Sequence, residues 1–161
     1  VHIVGISLGG NIGLCLSAKY QNEVKKIVSI GTPIFLQNHL YIRSTLPIYS
    51  LFKKYHQKKI SLEEISYYDN TGTYKVWPYQ SLKELLKIME ETKSILPLIK
   101  AKTFVLYSRQ DPVVRADSAK FIFDRLTTPA GHRKEIALEE KNHVSINDEL
   151  AEEIVNFLQA P

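Results

Sequence analysis

Val1-His2-Ile3-Val4-Gly5-Ile6-Ser7-Leu8-Gly9-Gly10 opens the chain, and this stretch decides the fold. The β-branched run Val1, Ile3, Val4 is strand-like and passes directly into Gly5-Ile6-Ser7-Leu8-Gly9, a G-x-S-x-G pentapeptide. Beyond it, residues 11–18 place apolar Ile12, Cys15 and Leu16 at helical spacing. Strand, turn and helix in that order are the setting in which such a pentapeptide holds a serine on a sharp, strained turn with its hydroxyl exposed. The flanking glycines are expected to let the two backbones approach without a Cβ clash. Ser7 is therefore a candidate nucleophile.

Working outward, residues 23–31 read as a second strand, stopped by Gly31-Thr32-Pro33. Residues 34–99 change character: helical periodicity, no convincing strand, and seven of the nine tyrosines between Tyr41 and Tyr79. Ser61-Leu62-Glu63-Glu64 and Ser81-Leu82-Lys83-Glu84 both have the form of a capping box, the second ahead of Leu85, Leu86, Ile88 and Met89. Alternation returns at 101–108, followed by the loop Arg109-Gln110-Asp111-Pro112, a helix over 115–126 and a break at 127–131. A last strand over 132–138, a loop over 139–143 and a helix capped by Asn147 or Asp148 complete the chain. Strands alternating with helices around one helical insertion predict an α/β fold with a parallel sheet and flanking helices. The core is expected at 1–33 and 100–161 and the insertion at 34–99. Reactive residues in such sheets sit in loops at the carboxyl ends of the strands, where Ser7, Asp111 and His143 all fall.

Composition narrows the class. The 161 residues, 44% hydrophobic and 24% charged, suit one globular domain, and no run approaches a membrane span or a signal peptide. The expected setting is cytoplasmic, without stable membrane insertion. The net charge of +4 comes from residues 33–100, which hold 10 Lys and Arg against 6 Asp and Glu, while the rest of the chain balances 11 against 11. Lys53-Lys54 and Lys58-Lys59 beside Leu51, Phe52 and Tyr55 read as a solvated helix face, and no nucleic-acid recognition motif accompanies them. The single cysteine, Cys15, excludes an internal disulfide and reads as a buried structural thiol. The sequence has no metal-ligand spacing and no dinucleotide fingerprint, so no cofactor is expected.

A serine hydroxyl at neutral pH needs a base to take its proton, and the base needs a carboxylate to hold its tautomer. Of the five histidines, His2 lies within a strand, His39 and His56 within the insertion and His132 at the wrong end of the last strand. His143 alone follows a strand in the required loop. Asp111 follows the penultimate strand directly, whereas Asp117 and Asp124 lie inside the next helix. The order serine, acid, histidine, each on a strand-to-helix loop, points to Ser7, Asp111 and His143 acting together.

On these residues the chain resembles the C-terminal part of an α/β-hydrolase, and most nearly bacterial carboxylesterases of the monoacylglycerol-lipase-like type. The likeness carries Gly5 to Gly10 onto the family elbow, residues 103–114 onto the acid-bearing strand and loop, and Asn142-His143-Val144 onto the histidine loop. It departs at Asn142, which replaces a frequent glycine. The resemblance implies a serine hydrolase of carboxylic esters, short- or medium-chain acyl esters or monoacylglycerols, acting through an acyl-enzyme. Acyl transfer or thioester hydrolysis on the same residues, or an inactive fragment, are the alternatives. It further implies that 34–99 is a cap over the acyl pocket, with Trp77 and Tyr79 contacting substrate, and that the Leu8 N–H is one of two oxyanion donors. Because the chain opens on valine inside a strand that should be central, the preceding strands and the second donor are expected to belong to a longer chain. The expected partner is a small ester with a hydrophobic acyl chain.

Overall fold

The computed structural model describes residues 1–57, 74–139, 143 and 146–160, the side chain of His39 excepted. The element order of the chain is strand β1 (His2–Ile6), helix α1 (Leu8–Lys19), β2 (Lys26–Ile30), α2 (His39–Phe52), β3 (Tyr55–Gln57), β4 (Val76–Pro78), α3 (Tyr79–Ile95), β5 (Lys102–Ser108), α4 (Asp117–Arg125), β6 (Arg133–Leu138) and α5 (Asp148–Gln159). Two compact units result, one formed by 1–37 with 88–161 and the other by 38–87.

In the first unit β1, β2, β5 and β6 form a parallel sheet in the order β1-β2-β5-β6. β2 and β5 are buried on both faces because their side chains alternate between two apolar clusters. Ile27 and Val105 point into the cluster built with Leu14 and Ala18 of α1 and Ile122 of α4. Val28, Ile30, Phe104 and Leu106 point the other way, onto Leu150 and Ile154 of α5. Among the described residues β1 and β6 are the two edge strands, and Val4 and Ile6 remain exposed on β1. Asn147 caps α5, its Oδ1 accepting from the Leu150 N–H at 2.9 Å. The other end of α5 is held by buried Lys26, whose Nζ donates to the carbonyls of Phe157 (3.0 Å), Leu158 (3.1 Å) and Ala160. A cation at a helix C-terminus satisfies carbonyls that have no intrahelical partner.

The helical reading of 34–99 needs correction in four places. First, the compact second unit is narrower: Ile34 and Leu36 at one end and Met89, Leu96 and Ile99 at the other are buried parts of the first unit. Leu36 bridges to Val114, and the Gln37 N–H donates to Val113 O. Second, the second unit contains an antiparallel ribbon, with Tyr55 opposite Pro78 and Gln57 opposite Val76. Strands of three residues are too short to print a two-residue period on the sequence. Third, Lys53 and Lys54 follow the end of α2 instead of lying along a helix face. Fourth, α3 starts at Tyr79, so Ser81 lies within the helix, and the Glu84 carboxylate is taken by Gln80 (2.9 Å) and Lys87 (2.8 Å). The pattern at 61–64 and Lys58-Lys59 lie outside the described residues. Among the described residues no helix is long and apolar enough to cross a membrane.

Candidate active site

The first step toward the site is the turn between β1 and α1. Ser7 has φ 53° and ψ −120°, a conformation costly for a residue with a side chain. The surroundings over-determine it. On one side the sheet ladder runs one residue past β1, the Ser7 N–H donating to Ile30 O at 2.8 Å; on the other, the Gly10 N–H donates to Ser7 O at 2.9 Å. A Cβ on Gly5 would lie 2.4 Å from Gly9 O and 2.8 Å from Gly10 Cα, so backbone there meets backbone and only glycine fits. The second glycine of the pentapeptide behaves otherwise. A Cβ on Gly9 would meet nothing within 4 Å, whereas one on Gly10 would fall 1.8 Å from Thr32 Oγ1. The close approach expected of Gly5 and Gly9 is thus supplied by Gly5 and Gly10.

The two neighbouring ladders overrun in the same way, Gly31 N–H to Leu106 O and Arg109 N–H to Leu138 O, both at 2.8 Å. Loops after β1, β2, β5 and β6 therefore leave the sheet at one end, that of the strands' carboxyl termini. Asp111, buried in the loop after β5, accepts at Oδ1 from the N–H groups of Val113 (2.7 Å) and Val114 (2.9 Å). Its other oxygen, Oδ2, lies 2.7 Å from His143 Nδ1, and His143 Nε2 lies 2.9 Å from Ser7 Oγ. The three residues singled out from the sequence are brought together in one hydrogen-bonded chain. Its polarity follows from chemistry: an ionised carboxylate only accepts, so Nδ1–H donates to Asp111 and Nε2 is left as acceptor for the Ser7 hydroxyl. Arg109 Nε, 2.7 Å from Glu139 Oε1, links the loops after β5 and β6.

Leu8 opens α1, so its N–H is one of the first-turn amides that no intrahelical carbonyl takes. Trp77 on β4 and Tyr79 at the start of α3 belong to the second unit. Tyr79 is buried there, its ring parallel to that of Tyr49 with centroids 6.4 Å apart and its hydroxyl 3.5 Å from His56 Nδ1. His2 lies on β1, and exposed His132 sits in the short turn ahead of β6, at the opposite end of that strand from Asp111 and His143. Asn142 and Val144 lie outside the described residues. Among the described residues no group of three or more His, Cys, Asp or Glu is arranged to hold a metal.

The sequence reading missed the residues that support the turn, because it weighed only large apolar side chains on α1. Ile12 and Leu16 are in fact exposed, and the buried face is Gly10, Asn11, Gly13, Leu14, Ser17 and Ala18. Asn11 Nδ2 donates to Pro33 O and to Thr92 Oγ1, both at 3.0 Å, tying α1 to the loop after β2 and to the end of α3. Thr32 Oγ1 pairs with Ser29 Oγ at 2.6 Å directly against Gly10. The signal was present as small and polar residues at 10, 11, 13, 17 and 18, the spacing of a helix packed close to its neighbours. Cys15 is half-buried, with Sγ 3.8 Å from Thr92 Oγ1, and burial pushes its thiol pKa up.

The alpha/beta hydrolase fold family matches residues 1–51. The chain is similar to a carboxylesterase of Bacillus subtilis (strain 168), 26% identical over 160 residues that make up 96% of this chain and 62% of the relative. Among solved structures, a chain from the work on the metagenome-derived lipolytic enzymes LipS and LipT superposes with TM-score 0.78 at 19% identity, covering 98% of this chain and 64% of that one. The monoacylglycerol lipase of Paleococcus ferrophilus does so with TM-score 0.77 at 12% identity, covering 98% and 65%. The chain thus spans less than two thirds of the length of each of these relatives. Parallel sheet, strained serine turn and these likenesses together make the chain a partial α/β-hydrolase fold, of the kind carried by esterases and lipases.

Proposed function

We propose that the protein hydrolyses carboxylic esters through an acyl-enzyme on Ser7. The observation that carries this reading is the continuous chain from Ser7 Oγ through His143 to Asp111, at 2.9 and 2.7 Å. In the reaction, Ser7 Oγ attacks the ester carbonyl while its proton passes to His143 Nε2. The imidazolium so formed is stabilised by the Asp111 carboxylate, itself held by two backbone N–H groups. The Leu8 N–H at the positive end of α1 faces the developing oxyanion. His143 then protonates the leaving alcohol, and water, deprotonated by the same nitrogen, releases the acid and restores Ser7.

The substrate we assign is an uncharged ester with an apolar acyl chain, in keeping with relatives that are a carboxylesterase and a monoacylglycerol lipase. Residues 38–87 act as the acyl-selecting cap, with Trp77 and Tyr79 among its aromatic residues. The test is labelling by a fluorophosphonate probe together with p-nitrophenyl ester turnover. Ser7→Ala should abolish both, His143→Ala should lower turnover by several orders of magnitude, and His132→Ala should leave it unchanged. Turnover retained in Ser7→Ala would refute the proposal. Trp77→Ala should shift preference among acyl chain lengths more than it lowers the best rate, and a uniform loss would remove Trp77 from substrate selection.

A further inference from the structure

The Asp111 carboxylate is aimed by a loop that packing alone does not fix. The loop borders unfilled space of about 250 Å³, partly open to solvent and lined by Ser108, Asp111, Val114, Arg115 and Ser118. Where side chains do not interlock, hydrogen bonds must set the backbone. Residues 35–37 supply them as the other half of an antiparallel bridge. Leu36 pairs with Val114, the Arg115 N–H donates to Phe35 O at 2.9 Å, and the Gln37 N–H donates to Val113 O at 2.9 Å. Ser118 Oγ closes the far end, accepting from the Phe35 N–H at 2.9 Å and donating to Phe35 O at 3.1 Å.

A side chain completes this clamp at Asp111 itself: Gln37 Nε2 donates to Asp111 O at 3.1 Å. The peptide unit between Asp111 and Pro112 has no N–H, because proline brings none, so the Asp111 carbonyl is the single hydrogen-bonding handle on that plane. Turning the plane is rotation about ψ of Asp111. Such a rotation would carry the N–H groups of Val113 and Val114, which hold Oδ1 at 2.7 and 2.9 Å, away from the carboxylate. Asp111 is only 4% exposed, so little water reaches it to replace the Gln37 amide. We propose that Gln37 is a positioning residue. By holding Asp111 O it locks the turn, keeping Oδ1 on Val113 and Val114 and Oδ2 at 2.7 Å from His143 Nδ1. Its effect on rate rests on the hydrolase reading, whereas its effect on the Asp111–His143 bond does not.

The experiment compares Gln37→Met, which keeps the length and loses the donor, with Gln37→Lys, which restores a donor of similar reach. Gln37 is exposed, so both variants keep the fold, which urea unfolding checks. In p-nitrophenyl ester hydrolysis Gln37→Met should lower kcat about 3- to 10-fold, the worth of one neutral hydrogen bond, with KM unchanged. Gln37→Lys should recover most of that loss. The second readout is the far-downfield proton resonance of an imidazole Nδ1–H bonded to a carboxylate, recorded without substrate. It should be present in the wild type and in Gln37→Lys, and weaken or move upfield in Gln37→Met. Ser7→Ala, run beside them, keeps the two questions apart. Turnover persisting in Ser7→Ala refutes the hydrolase reading, and the resonance then decides on Gln37 alone. The proposal is overturned if Gln37→Met leaves the resonance unchanged whatever its rate, or leaves kcat unchanged in an enzyme that needs Ser7. It is also overturned if the variant acts by raising KM, or if Gln37→Lys fares no better than Gln37→Met. A wild type without the resonance overturns it too, since no Asp111–His143 bond is then there to position.

Discussion

Gly10→Ala has a cost that can be worked from contacts, and Gly9→Ala, one residue away, is its control. A Cβ on Gly10 falls 1.8 Å from Thr32 Oγ1, 2.9 Å from Thr32 Cβ and 3.1 Å from Thr32 Cγ2. Thr32 is buried and its hydroxyl is shared with Ser29 at 2.6 Å, so it cannot turn aside without breaking that bond. Overpacking costs about 1–3 kcal/mol and the lost hydrogen bond about 1 kcal/mol, while replacing a helical glycine returns about 1 kcal/mol. The net destabilisation is about 1–3 kcal/mol, or about 3–10 °C in Tm for a chain of this length. Gly9→Ala meets no atom within 4 Å and should stabilise by up to about 1 kcal/mol. Urea unfolding followed by far-UV circular dichroism measures both. Thr32→Ala removes Oγ1 and Cγ2 but leaves the Cβ at 2.9 Å, so the double variant should recover only part of the loss. The expected coupling is about 1 kcal/mol. Equal destabilisation by Gly9→Ala and Gly10→Ala, or strictly additive single effects, would refute the reasoning.

Three further predictions follow from contacts elsewhere in the first unit. Asp111→Asn keeps an acceptor for the Val113 and Val114 N–H groups but turns an amide N–H toward His143 Nδ1, forcing the ring proton onto Nε2. Ester turnover should fall about 10⁴-fold with stability little changed, and a loss under about tenfold would argue against the assigned tautomer. Lys26→Met strips three carbonyls at the end of α5 of their donor and should cost about 1.5–3 kcal/mol in urea unfolding, with faster proteolysis of the last turn. Unchanged midpoint and proteolysis would show that water replaces the ammonium. Because the Cys15 thiol is raised by burial, its thiolate is scarcer than that of a free cysteine at any pH below its pKa. Reaction with a disulfide reagent at pH 8 should be slower than for glutathione and speed up as pH rises, and a rate matching glutathione would contradict the burial.

The order of strands, the serine turn and the three residues after the carboxyl ends of β1, β5 and β6 could be read from the chain alone, because each is a local pattern. A β-branched run leads into Gly5-Ile6-Ser7, an Asp-Pro turn follows β5, and one histidine follows the last strand. The placement of 34–37 and 88–99 was not legible, since their periodicity is that of any helix or loop and only burial against the sheet separates them from 38–87. The β3–β4 ribbon was invisible because it is three residues long on each side and is held by pairing across 18 intervening residues. The role of Gly10 over Gly9 depends on where Thr32 lies, a contact between residues 22 apart that no local pattern encodes. Residue type and spacing thus determined which groups carry chemistry. Parallel pairing of β1 with β2, β2 with β5 and β5 with β6 decided that residues 7, 111 and 143 meet, because it turns all their loops to the carboxyl end of the sheet.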